Sequence, residues 1–271
     1  MRIDSHLHLW VNDPENYPWH PIGGYLPETA APLSHYLEVM DRNGVDGAVL
    51  VQPTPYGWDN AYLLHCKQEH PETFRAVVLV DPLSKDASQN LAALFNLGAD
   101  GLRINLHIKP LSAWDSHHFH ELMVQCVQLG CPVCFQLTPE YFPVLERLCE
   151  EYPINFIIDH LGRPEPGCSI EHPQFKKFLN FSRHANIFIK LSGMYYFSKL
   201  PAPFPDTWDL IRAAKASFGA DHCMWGSDFP FVKEHWSFAE NIDHIQGLFD
   251  RSENDLAWIF SKTAQSLWWN G

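Results

Sequence analysis

Residues 88–106 read SQNLAALFNLGADGLRINL, and this stretch decides the fold. A helix-forming segment, Ser88–Leu97, meets Gly98, the residue type that best tolerates the left-handed end of a helix. A short apolar run, Gly101–Leu106, follows at once. It lacks the strict alternation of a strand with one wet face, which suits a strand buried on both sides of a parallel sheet. The unit is a helix feeding a buried strand.

Working outward in both directions, the same unit repeats. Strand-like runs are Ile3–Leu9, Gly47–Val51, Phe74–Val80, Gly101–Leu106, Pro132–Leu137, Asn155–Ile158, Ile187–Leu191 and Cys223–Gly226. The helix-like stretches are Leu33–Asn43, Asn60–Glu69, Ser88–Leu97, Phe119–Leu129, Tyr141–Glu151, Gln174–His184, Thr207–Phe218 and Phe238–Asp250. Gly44, Gly98, Gly130 and Gly219 close four of them. Eight strands alternating with eight helices is the count of an α/β fold closed as a (β/α)8 TIM barrel. An open doubly wound sheet would carry a glycine-rich first turn, and none follows the first strand. The expectation is one barrel domain over residues 1–271, near the ~250 residues typical of the fold. A last helix, Asp255–Trp268, is expected on the outside, with Trp268-Trp269 exposed as a contact surface. The proline-rich stretches Pro14–Pro32 and Pro201–Pro205 read as long loops at the mouth of the barrel.

Composition narrows the partners. Apolar residues make up 46% of the chain, ample for a large core, and the formal net charge is −13. Nucleic acid and anionic membrane surfaces are therefore excluded as partners. No apolar run approaches the roughly 20 residues of a membrane span. The start, Met1-Arg2-Ile3-Asp4-Ser5-His6, has no signal-peptide character, so a cytoplasmic address is expected. Seven cysteines are scattered through apolar segments and read as reduced core residues. Cys131 and Cys134 have redox-motif spacing but no second pair to make a metal site.

Chemistry should sit at the C-terminal ends of the strands. His6 and His8 end the first strand and share a face by period two. Arg103 and Asn105 end the fourth, Gln136 the fifth, Asp159 and His160 the sixth, Lys190 and Ser192 the seventh, and Ser227 and Asp228 the eighth. A lone histidine after a strand is ordinary scaffolding. Convergence of polar groups from six strands on one face is not.

Four of these segments, Asp4-Ser5-His6-Leu7-His8-Leu9-Trp10, Ile158-Asp159-His160-Leu161-Gly162-Arg163-Pro164, Lys190-Leu191-Ser192-Gly193 and Trp225-Gly226-Ser227-Asp228-Phe229-Pro230, resemble the amidohydrolase superfamily. More narrowly they are similar to the amidohydrolase-related branch that includes 2-pyrone-4,6-dicarboxylate hydrolases and sugar lactonases. Val51-Gln52-Pro53-Thr54 through Tyr56-Gly57 and Asp59-Asn60 also resembles the second-strand loop of the dicarboxylate hydrolases. The resemblance implies a hydrolase acting on a small lactone or related carboxylate. It assigns Asp228 as the general base on water, with His6, His8, His160 and Arg103 stabilising the oxyanion. Arg103 is also the candidate clamp for a substrate carboxylate, with Thr54, Tyr56, Gln136 and Lys109 as further substrate contacts. Lys190 is expected to be structural, paired with Asp159.

Binuclear members carry a bridging lysine or glutamate on strand four and a histidine on strand five. Arg103 and Gln136 stand there instead, and a guanidinium cannot ligate a metal. His6, His8, His160 and Asp228 remain able to hold a single ion, zinc by ligand type, or to work with no cofactor. The dicarboxylate hydrolases tend to place an arginine after Ser-Gly on strand seven, where this chain reads Met194-Tyr195-Tyr196. A monocarboxylate or neutral lactone is then as consistent as a pyrone dicarboxylate. A metal-dependent decarboxylase of the same superfamily and a barrel that binds without turnover stand as alternatives.

Overall fold

The structure, a computed structural model, describes residues 1–22, 25–249 and 252–269. Eight parallel strands run in sequence order: β1 (Ile3–Leu7), β2 (Gly47–Val51), β3 (Phe74–Val78), β4 (Gly101–Asn105), β5 (Val133–Gln136), β6 (Phe156–Ile158), β7 (Ile187–Leu191) and β8 (Cys223–Trp225). Between them lie α1 (Leu33–Asn43), α2 (Ala61–Glu69), α3 (Ala87–Asn96), α4 (His117–Leu129), α5 (Phe142–Glu151), α6 (Pro173–Asn180) and α7 (Trp208–Phe218), with α8 (Phe238–Leu248) after the last strand. This is the (β/α)8 barrel expected from the alternating pattern. Every strand and seven of the eight helices lie within three residues of their expected bounds. The expected Gln174–His184 helix instead breaks after Asn180 into a 3-10 turn, Phe181–Arg183. Asp250, the expected end of α8, lies outside the described residues.

The last helix differs from expectation. It begins at Glu253, widens into a π turn over Trp258–Lys262, and resumes over Thr263–Trp268. Trp268 is not on the outside. It is 6% exposed and packs with Ile3, Val49, Val77, Cys134, Ile157 and Met224 inside the strands. A Cβ on Gly101 would sit 3.3 Å from the Trp268 indole nitrogen, so a strand residue without a side chain leaves room for this plug. Arg75 fastens it, donating from Nε to the Trp268 carbonyl oxygen at 2.7 Å and lying 4.5 Å from the Trp269 ring centroid.

The barrel closes between β1 and β8 beyond their regular ladders. Asp228 N–H donates to the His6 carbonyl oxygen at 2.8 Å, and His8 N–H to that of Phe229 at 2.7 Å. Buried Asp4 pins this seam, accepting from the Ser227 N–H (2.8 Å), the Tyr36 hydroxyl (2.8 Å) and the His6 N–H (3.2 Å). The β1 register shifts between Asp4 and Leu7. A bulge re-aims side chains, and here it lets Ile3 below and His6 and His8 above face the same interior despite opposite parity. Gly226 permits the approach of the two strands, since a Cβ there would lie 2.7 Å from that of His6.

All seven cysteines are free thiols. Cys134 lies in the interior core, and burial pushes its thiol up to about 11, away from the reactive range. No helix among the described residues is long and apolar enough to cross a membrane.

Candidate active site

Strand ends bring the expected residues together. The polar layer at the C-terminal end of the barrel begins with Asp159, fully buried just past β6. Arg103 on β4 donates from Nε to its Oδ2 at 3.1 Å, and Lys190 on β7 lies 3.0 Å from Oδ1. Burial opposes the charge on Asp159, but Lys190, His6 and Arg103 outweigh it and hold the carboxyl well below the usual range. Lys190 is paired with Asp159 as the sequence reading expected. Its Nζ also meets His6 Nδ1 at 2.9 Å.

That contact fixes a tautomer. An ammonium only donates, so His6 Nδ1 accepts and Nε2 carries the proton. His8 donates from Nδ1 to the Val51 carbonyl oxygen at 2.8 Å, leaving its Nε2 lone pair free. The two Nε2 atoms lie 3.2 Å apart, a donor facing an acceptor. Burial, and then the Lys190 charge, hold the His6 imidazole well below its ordinary range, so it is neutral.

Asp228 and His160 complete the group on left-handed backbone, at φ 58° and 53°. Such conformations are uncommon outside glycine, though Asp and His tolerate them better than most. They cluster where surrounding structure enforces a functional geometry. His160 Nδ1 is 2.9 Å from Ser192 Oγ, and its Nε2 is 4.0 Å from Asp228 Oδ2. Gly193 (φ +62°) makes this seat, because a Cβ there would fall 2.6 Å from His160 Nδ1. Burial pushes the His160 imidazole down to about 4.

Asp228 is fully buried and has no Lys or Arg partner among the described residues. Its Oδ2 accepts a short hydrogen bond from the Tyr195 hydroxyl. Oδ1 lies 3.5 Å from both His6 Nε2 and His8 Nε2 and has no hydrogen-bond donor. Burial alone would raise this carboxyl, yet the surrounding imidazoles, His160 foremost, hold it far below the usual range. The result is a buried anion with Oδ2 held by Tyr195 and Oδ1 facing the His6 and His8 imidazoles.

The fit of a metal can be judged from these atoms. Ligand atoms of His6, His8 and Asp228 all lie within 4.8 Å of one another. The donorless Oδ1 and the free His8 Nε2 suit a cation, and the Val51 carbonyl is the kind of outer partner that orients a ligating imidazole. His6 would have to reverse its tautomer, donating Nδ1–H toward Asp159 Oδ1, 3.3 Å away. His160, expected as a fourth ligand, lies outside the cluster. Three residues fit one divalent ion.

The expected substrate contacts separate. Arg103 is 3% exposed, and with Nε held by Asp159 its two terminal nitrogens meet no acceptor among the described residues. Gln136 ends β5 in register with Asn105. Thr54 is half-buried just after β2, near the Tyr25 phenol. Tyr56 does not face the mouth. Its hydroxyl accepts from Val11 N–H (2.9 Å) and donates to the Val11 carbonyl oxygen (3.2 Å), and its ring stacks on Trp19. Lys109 is exposed beyond β4.

Two aromatic residues enter unexpectedly. Tyr195 and Tyr196 occupy the segment that lacks the arginine of the dicarboxylate hydrolases. The first holds Asp228, and the second packs 5.1 Å from the His160 ring beneath the Arg163 guanidinium. On the opposite rim Phe231 lies edge-on to His8 (5.8 Å) and Tyr25 (6.1 Å). The tyrosine pair was visible in the sequence only as a departure from an arginine, with no signal of its own.

Comparison with known proteins agrees with this geometry. The family model for amidohydrolases matches residues 3–268. A 4-sulfomuconolactone hydrolase of Rhizobium radiobacter is 28% identical over 233 residues, covering 84% of this chain and 75% of the relative. An L-fucono-1,5-lactonase of Burkholderia ambifaria is 27% identical over 243 residues, covering 85% and 80%. A crystal structure from Pseudomonas putida, described as a candidate 2-pyrone-4,6-dicarboxylic acid hydrolase, superimposes with a TM-score of 0.82 at 28% identity, covering 98% and 96%.

Proposed function

The chain belongs to the amidohydrolase family, and from that premise we propose that it is a hydrolase opening a small lactone, with Asp228 as general base. The observation that carries this reading is the state of Asp228. It is an ionised carboxylate with Oδ2 held by Tyr195 and Oδ1 directed at the imidazoles without a donor. The named lactone hydrolases among its relatives give the reaction class.

The chemistry follows from the groups in place. Water held at Asp228 Oδ1 loses a proton to the carboxylate as its oxygen attacks the lactone carbonyl. The Nε2–H of His6, and that of His160 in the tautomer whose Nδ1 accepts from Ser192, stabilise the oxyanion without needing to be charged. The proton then passes to the ring oxygen as the C–O bond breaks, giving a hydroxy acid. Arg103, fixed through Nε, presents its terminal nitrogens to an acidic substituent, with Gln136 on the neighbouring strand and Thr54, after β2, as further contacts. Lys109, exposed beyond β4, is a further cation for an acidic substituent, and the Tyr56 hydroxyl is taken by the Val11 backbone.

His6, His8 and Asp228 would hold a single divalent ion, zinc by ligand type, which when bound supplies Lewis-acid activation of a carbonyl or of water. Proton release from a panel of lactones, with and without chelator, tests both levels of the reading. Turnover that survives chelation supports the route through Asp228 alone. Turnover lost to chelation and restored by zinc assigns the activation of water to the ion, and no turnover of any lactone in either state refutes the lactone reading. Arg103→Met should raise KM for anionic lactones more than for neutral ones; equal losses on both would contradict the clamp.

A further inference from the structure

We propose that Asn105 reads a hydroxyl on the substrate ring, so that the lactone taken by this site is a hydroxylated one rather than a flat, hydroxyl-free pyrone. This rests on the lactone reading above and adds the substrate class to it. Asn105 ends β4 two residues after Arg103, so the two side chains share a face. That face is the barrel interior, because Arg103 reaches Asp159 across it. Asn105 is 2% exposed, and neither its Nδ2 nor its Oδ1 has a hydrogen-bond partner among the described residues.

A buried carboxamide with both ends unpaired is costly and rare in a folded protein. The same atoms define what would relieve it. Nδ2 donates and Oδ1 accepts, so the complementary group must accept and donate at nearly one place. A hydroxyl does both. A carboxylate or a lactone carbonyl only accepts, and would leave Oδ1 buried without a donor. The neighbours extend the pattern. Gln136, the register partner of Asn105 on β5, brings a second carboxamide, and the free end of Arg103 takes an acidic or carbonyl oxygen. On the far wall, tyrosines at 195 and 196 replace the arginine that would grip a second carboxylate.

The test compares matched lactones of one ring size, glucono-1,5-lactone and δ-valerolactone, together with their five-membered counterparts, in the wild type and in Asn105→Leu. The leucine matches the shape and removes both polar ends. The wild type should favour the hydroxylated member of each pair. Asn105→Leu should lose about tenfold or more in kcat/KM on it, while staying within about twofold on the plain lactone. Asn105→Ser, smaller and still polar, serves if the leucine variant does not fold, and should lose less on the same substrate. Turnover of both members with no preference, or equal losses on both in the variant, overturns the role of Asn105 and leaves the hydrolase reading standing. No turnover of any lactone, with or without zinc, overturns the hydrolase reading and this inference with it.

Discussion

Acidification should destabilise the protein through His160 in a way that one substitution isolates. Burial places this imidazole at about 4, against an ordinary value of 6.5. A group whose folded value is depressed contributes stability that is present above the unfolded value and lost as pH falls through the folded one. The window is therefore pH 6.5 down to 4. At about 1.4 kcal/mol per unit, the shift corresponds to about 3 kcal/mol in total, of which about 2 is gone by pH 5. The wild-type curve alone does not isolate this, because buried Asp4, pushed up to about 6, works in the opposite sense. Its contribution grows as pH falls below 6.

The informative quantity is the difference between the wild type and His160→Asn. Asparagine tolerates the left-handed backbone at this position and can still meet Ser192, but it does not titrate. Urea midpoints should be measured at pH 8 and pH 5. Between those values the wild type should lose about 2 kcal/mol more than the variant, roughly 4–8 °C in Tm for a chain of this size. A constant difference between the two proteins from pH 8 to pH 5 would refute a buried neutral His160.

Lys190→Met removes a fully buried cation from Asp159 and His6 and should cost about 3–5 kcal/mol by chemical denaturation. The loss should be smaller at acid pH, where His6, released from the lysine charge, takes up a proton beside Asp159. Trp268→Ala empties the plug below the site and should cost about 3–5 kcal/mol while leaving KM unchanged; a melting curve within 2 °C of the wild type, about the shift 1 kcal/mol would give, would show that the indole is not packed as described. Tyr195→Phe withdraws the donor on Asp228 Oδ2, so the carboxyl should become more basic and the acid limb of the pH–rate profile should move to higher pH.

The barrel was legible because each strand is short, apolar and closed off by a polar residue. What lay beyond the sequence was mostly what depends on a contact across the barrel. The clustering of His6, His8, His160 and Asp228 followed from their places at strand ends. The period-two spacing of His6 and His8 at the end of the first strand already placed both imidazoles toward the barrel mouth, whereas the bulge that lets Ile3 face the same interior has no mark in the sequence. Tyr56 looked like a mouth residue by its loop, but nothing in the chain announces that Val11 lies 45 residues back to receive its hydroxyl. The C-terminal tryptophans looked exposed because a terminal helix on a barrel usually lies outside. Gly101 and Arg75, far off in sequence, decide otherwise. Tyr195 is the converse case, a residue whose role appears only once the β7 loop is folded over Asp228.

The most direct test of the account is kcat for Asp228→Asn on the best lactone of the panel, measured beside its circular dichroism spectrum. The substitution keeps the shape and the Tyr195 contact but removes the proton acceptor at Oδ1. We expect a native spectrum with kcat lowered about 10²–10⁴-fold. A correctly folded variant that turns over at near wild-type rates would contradict the assignment of Asp228 as the base.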